Sequence, residues 1–203
     1  SYICDNGAFA VLNGKIVRSS VLDKYVLKRV LEITNEIEGV QITLCGAKGT
    51  YYFVPTEKVA TEVKIYHPKN KYVKNVFDID DDIFKVAIYD SINPKTNSFP
   101  ILEKHFGKDY CLQISGQCWM DIMNKGITKG AALQKMQQLL GITKQETMAF
   151  GDFYNDLPML KNAKYAFVME NAHPEMKKHA THIAKNCNED GVVKAIEEFV
   201  LRC

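Results

Sequence analysis

Three observations predict an α/β fold: a parallel sheet toward the C-terminus, joined to a separate antiparallel α+β module. From Thr128 to the end, strand-like and helix-like segments alternate, and such alternation implies parallel strands linked by crossovers. Before Thr128 the chain is rich in short strands and paired glycines and lacks that alternation. The apolar run 147–150 leads directly into Gly151-Asp152-Phe153-Tyr154-Asn155-Asp156. Open α/β sheets bind their ligands just beyond the carboxyl ends of strands, where this polar segment falls.

Residues 2–4 read as a short strand, and 9–17 as a hairpin turning at Asn13-Gly14, the strongest short-range hairpin signal. A helix follows from about Val21, with Leu22, Tyr25, Val26, Val30, Ile33 and Ile37 at helical spacing, and ends at Gly39. Strands are expected at 40–45 and 50–54, joined through Gly46 and Gly49 and closed by Pro55. The polar stretch 56–82 is expected to be helical in parts, with strands at 84–89, 111–115 and 119–123 and a helix at 99–106. Beyond Thr128 come a helix at 129–140 ended by Gly141, a strand at 147–150 and a helix at 156–162. A strand at 165–169, a helix at 174–180, a brief strand near 182–184 and a helix at 190–201 complete the chain.

With 203 residues, 46% hydrophobic and 25% charged, the chain has material for one or two globular cores. A net charge of +2 gives no electrostatic reason for a nucleic-acid or anionic-membrane partner. Six cysteines at 4, 45, 111, 118, 187 and 203 include no Cys-x-x-Cys pair, which favours reduced thiols and a cytoplasmic protein. No apolar stretch approaches the ~20 residues that span a bilayer.

Asp152 stands where a carboxylate can hold a hard cation such as Mg²⁺ beside a phosphate; the competing reading is a helix-start residue. Lys129 sits in the first turn of its helix behind the capping residue Thr128. An ammonium there, with the exposed N–H groups, suits a bound phosphate; a solvated surface lysine is the alternative. Asn171 and Asn188 read first as capping residues, Asn171 also as a possible substrate contact, and His173 as a surface or capping residue.

Lys129-Gly130-Ala131-Ala132-Leu133, then Gly151 to Asp156, then Met169-Glu170-Asn171-Ala172 running to Lys177 together resemble the haloacid dehalogenase (HAD) superfamily, in particular its Cof-type phosphatases. Asn6-Gly7-Ala8 and 188–192 are similar to the same family. Glu170 departs from it, since the family usually has glycine there. The resemblance implies a partial Rossmann-like core from residues 1–19 and 119–203 and an inserted α+β cap at 20–118. It implies a Mg²⁺-dependent phosphatase of small phosphorylated metabolites, sugar phosphates among them, working through an aspartyl-phosphate. Asp152 would be the metal ligand and Lys129 the phosphate-side lysine. Asp156 would support catalysis, and Asn155, Asn171 and Asn6 would meet substrate. Lys48, between Gly46 and Gly49, is a further candidate contact or simply a turn lysine.

The family's nucleophile lies in an Asp-x-Asp-Gly-Thr segment, and none occurs in residues 1–203. Phe77-Asp78-Ile79-Asp80-Asp81-Asp82 imitates it without the Gly-Thr turn and reads as a solvated acidic loop. The expectation is therefore an amino-terminal truncation, inactive alone, with the missing strands absent or supplied by another chain. A phosphomutase on the same scaffold and a non-catalytic phosphate- and metal-binding regulator remain the alternatives.

Overall fold

The computed structural model describes residues 1–53 and 68–201, so much of the polar stretch expected to be helical in parts lies outside the described residues. The chain divides into two units, Ser1–Ile127 and Thr128–Cys203.

In the first unit β1 (Tyr2–Cys4), β2 (Phe9–Leu12) and β3 (Lys15–Ser19) form an antiparallel meander. Asn13 and Gly14 turn β2 into β3 with φ of 49° and 77°. Two successive left-handed residues match the twist of the flanking strands, and Asn-Gly tolerates them best. Helix α1 (Lys24–Asn35) begins slightly later than its apolar spacing predicts, because the Asp23 side chain caps it by accepting from the Tyr25 N–H at 2.8 Å.

The larger sheet holds β4 (Val40–Gly46), β5 (Thr50–Tyr52), β6 (Asn70–Tyr72), β7 (Ile83–Asp90), β8 (Tyr110–Ile114) and β9 (Trp119–Asn124), in the order β6-β5-β4-β7-β9-β8. All neighbours are antiparallel except β5 and β6. Helix α2 (Ser98–Phe106) links β7 to β8. Register places Ile42 opposite Ile88, Ile88 opposite Met120, Leu44 opposite Val86 and Val86 opposite Ile122. These alternate residues form one apolar face, which packs against Leu27 and Val30 of α1 and Leu102 and Phe106 of α2. The division between units differs from the expected boundary at residue 119: β9 pairs with β7 and β8, so 119–127 lie with the first unit, as do 1–19. The alternation of Met120 and Ile122 marks a half-buried strand but does not say which sheet receives it.

The second unit is a parallel three-stranded sheet in the order β10-β11-β12, comprising β10 (Met148–Gly151), β11 (Tyr165–Met169) and β12 (His182–Ala184). Helix α3 (Lys129–Leu140) precedes it, capped by the Thr128 hydroxyl on the Ala131 N–H. The helix expected at 156–162 is a tight turn at Tyr154–Asp156 followed by α4 (Leu157–Leu160). The one expected at 174–180 is a 3₁₀ helix at Pro174–His179, with Pro174 in its first turn. The last helix is α5 (Gly191–Ile196), widened into a π-helical turn at Glu197–Leu201. Phe150 stacks on Phe167 with ring centroids 5.0 Å apart, and Phe167 meets Phe199 edge-on at 5.1 Å. No helix among the described residues is long and apolar enough to cross a membrane.

Ile88 is wholly buried at the centre of the first unit's sheet. Ile88→Ala is expected to lower unfolding stability by about 2–5 kcal/mol, read as a lower urea midpoint at unchanged slope.

Candidate active site

The candidate site is built in the second unit, at the carboxyl end of β10. The chain leaves the strand at Gly151 and turns at once through Asp152 to Asp156. The turn closes on the Asp156 carboxylate, whose Oδ2 accepts from the N–H of Asp152 at 2.9 Å and of Phe153 at 3.2 Å. Its other oxygen, Oδ1, accepts from Lys129 Nζ at 2.5 Å. The Asp156 side chain is 5% exposed and that of Lys129 31%, so the pair has a buried and an accessible partner.

Two glycines make this approach possible. A Cβ on Gly151 would stand 2.5 Å from Asp156 Cβ, and one on Gly130 would stand 2.3 Å from the Pro158 carbonyl oxygen. Both distances are below any real contact, so glycine is needed where β10 meets its own turn and where α3 meets α4.

Asp152 differs from Asp156 in every respect except its chemistry. It is exposed, and no ion pair to Lys129 consumes its carboxylate. Partial desolvation, then the negative charge of Asp156 and its hydrogen bonding, push the Asp152 carboxyl above its usual range, with Lys129 opposing. Its backbone carbonyl accepts from the His173 N–H at 3.2 Å, tying the turn to the loop after β11. In that loop His173, not Asn171, is the cap: its Nδ1 accepts from the Glu175 N–H at 3.3 Å and lies 3.1 Å from the Tyr154 hydroxyl.

Asn171 Oδ1 accepts from the Cys187 N–H at 3.2 Å, which binds the loop after β11 to the loop after β12. Asn155 is buried, 9% exposed, beside Asp156. Asn6 lies in the first unit and donates from Nδ2 to Asp121 Oδ2 at 2.6 Å. Lys48, also in the first unit, donates to the Asp80 carbonyl and carboxylate at 2.6 and 2.9 Å. Asp81 accepts from the Lys48 N–H and the Tyr51 hydroxyl, so the acidic stretch organises the β4–β5 turn. A cavity of about 250 Å³, lined by Glu170, Ile183, Ala184, Lys185 and Glu189, opens beyond β11 and β12.

Among the described residues no cluster of three or more His, Cys, Asp or Glu side chains forms a complete metal cage. Mg²⁺ does not require one, since it usually keeps several waters and binds one or two carboxylates beside substrate phosphate. The exposed Asp152 carboxylate fits that role. Sequence reading missed Tyr154 and His173 as a linked pair, because the contact between their rings, centroids 5.0 Å apart, crosses two loops.

A family model described as haloacid dehalogenase-like hydrolase matches residues 1–196. The chain is 28% identical over 203 residues to the 5-amino-6-(5-phospho-D-ribitylamino)uracil phosphatase YbjI of Escherichia coli (strain K12), covering 98% of this chain and 74% of that protein. The solved structure of SMU.1108c from Streptococcus mutans UA159 superposes with a TM-score of 0.86 at 25% identity, covering 98% of this chain and 76% of that one. That of the HAD subclass IIB sugar phosphatase BT4131 gives 0.80 at 20% identity, over 96% and 73%, and its likeness is one of fold.

A carboxyl whose folded pKa is raised costs stability as pH rises through that value and ionises it. Asp152→Asn is therefore expected to melt higher than the parent at neutral pH, in chelator-treated protein. The gap should close at low pH, where the carboxyl is protonated in folded and unfolded chains alike. A gap that widens on acidification would contradict the sign.

Proposed function

The chain belongs to the haloacid dehalogenase-like hydrolases, among the members that are phosphate-ester hydrolases; from that premise we propose that it is part of a Mg²⁺-dependent phosphatase of small phosphorylated metabolites, sugar phosphates among them. The names of the relatives support this substrate class: one is a phosphatase of a phosphorylated ribitylamino-uracil, another a sugar phosphatase. A cytoplasmic setting fits the free cysteines at 4, 45, 111, 118 and 187.

The observation that carries the reading is the Lys129–Asp156 ion pair set beside the exposed Asp152 carboxylate. Asp156 fixes the ammonium of Lys129, which keeps further donors for phosphoryl oxygens and offsets the charge that develops on them. Asp152 would hold Mg²⁺, which supplies Lewis-acid polarisation of the phosphoryl group when bound. Asp156 shapes the turn that presents Asp152, and Asn155 and Asn171 are assigned to substrate. Residues 20–118 are assigned the role of the cap, whose side chains select the ester.

The covalent step needs a carboxylate nucleophile and, two residues on, a carboxyl group that protonates the leaving oxygen and then activates water. No Asp-x-Asp-Gly-Thr segment lies within residues 1–203, so we assign both groups to a segment outside them.

With p-nitrophenyl phosphate and Mg²⁺, the 203-residue chain is expected to give background rates and a form extended by an Asp-x-Asp-Gly-Thr segment to turn over. Equal hydrolysis by the two would place the nucleophile within residues 1–203. In the active form Lys129→Met and Asp152→Asn should each lower kcat by about 10²–10³-fold. Asp152→Asn should also abolish Mn²⁺ binding followed by electron paramagnetic resonance.

A further inference from the structure

The phosphatase reading uses the Asp152 carboxylate and leaves open what aims it. The Asp152 N–H donates to Asp156 Oδ2 at 2.9 Å, and its carbonyl accepts from the His173 N–H at 3.2 Å. The first bond lies within the turn after β10. The second comes from the loop after β11, so that loop fixes one side of the Asp152 backbone.

The His173 ring is fixed in turn. Its Nδ1 lies 3.3 Å from the Glu175 amide nitrogen and 3.1 Å from the Tyr154 hydroxyl. A backbone amide can only donate, so Nδ1 accepts and the proton of the neutral imidazole sits on Nε2. The Tyr154 hydroxyl is therefore the second donor to Nδ1. Phe153 packs edge-on against both rings, with centroids 5.2 Å from Tyr154 and 6.1 Å from His173.

Capping the 3₁₀ helix at Pro174–His179 requires only the Glu175 N–H, so the Tyr154 hydroxyl exceeds what the cap needs. Tyr154 is 39% exposed and His173 is exposed too, so neither ring is placed by the apolar core. What the hydroxyl does is close a clamp. Residues 152 and 154 of one turn each bond residue 173, and two anchors resist a twist of the turn that one bond allows.

We propose that Tyr154 and His173 are positioning residues for Asp152, together holding the main chain that aims its carboxylate at a divalent cation. This role rests on the phosphatase reading, in which Asp152 holds Mg²⁺; the clamp itself does not.

Amide hydrogen exchange on the metal-free 203-residue chain tests the clamp. Tyr154→Phe removes the hydroxyl and keeps the ring. It should speed exchange of the His173 amide about fivefold, with no change at Val168, a wholly buried residue of β11. Mn²⁺ binding, followed by electron paramagnetic resonance in the form extended by an Asp-x-Asp-Gly-Thr segment, tests the positioning. There Tyr154→Phe and His173→Ala should each weaken affinity about fivefold. His173→Asn returns an acceptor close to the place of Nδ1 and should recover most of that loss. A merely structural contact would lower the melting temperature of Tyr154→Phe and leave both readouts at wild-type values. Unchanged exchange at His173 overturns the proposal, and so does faster exchange with unaltered Mn²⁺ affinity. A parent form that binds no Mn²⁺ would overturn the metal role of Asp152 and the positioning role resting on it, even where faster exchange in Tyr154→Phe bears out the clamp.

Discussion

The second unit depends on a single ion pair, Lys129 to Asp156, because one carboxylate serves two elements that sequence keeps far apart. Asp156 binds the first turn of α3 through the ammonium and closes the turn after β10 through two backbone N–H groups. A nearly buried carboxylate with three donors is fully compensated; stripped of its cation it would be an uncompensated charge, a loss of about 3–5 kcal/mol. The same contact explains both close glycines, since a side chain at 130 or 151 would push apart the pieces that Asp156 holds.

Asp152 and Asp156 show how four residues of backbone separate two identical side chains into opposite roles. Asp156 points inward and its oxygens are spoken for, whereas Asp152 points outward and burial beside Asp156 raises its pKa. Partial burial beside the Asp156 carboxylate makes ionisation of Asp152 unfavourable despite Lys129, and a divalent cation would relieve that cost. Binding sites commonly hold such unrelieved charge, and fully paired surface carboxylates do not.

Much of this was legible in the sequence where local chemistry decides. The Asn13-Gly14 turn, the Thr128 cap and the parallel strands of the second unit follow from turn residues, capping residues and periodicity. Gly151 to Asp156 stands out because a strand ending in glycine and carboxylates is informative by itself. What stayed hidden depends on contacts across the chain. Asn171 looks like a cap and instead accepts from Cys187, and β9 joins a sheet its own pattern cannot name. Lys85 reads as one polar residue in an ordinary strand, since only register brings it beside Asp121 and only a strained turn brings Asp5 within reach.

The two clusters answer the problem of buried charge differently. In the second unit a short contact fixes Asp156, whose two oxygens accept from Lys129 and from two backbone N–H groups. In the first, Lys85 stands farther from its two carboxylates than a hydrogen bond allows. Electrostatic attraction in a poorly screened interior survives that gap, so the cluster holds its charges in place without a direct hydrogen bond between them. Distance, more than residue type, separates a hydrogen bond that closes a turn from an attraction that only holds charges near one another.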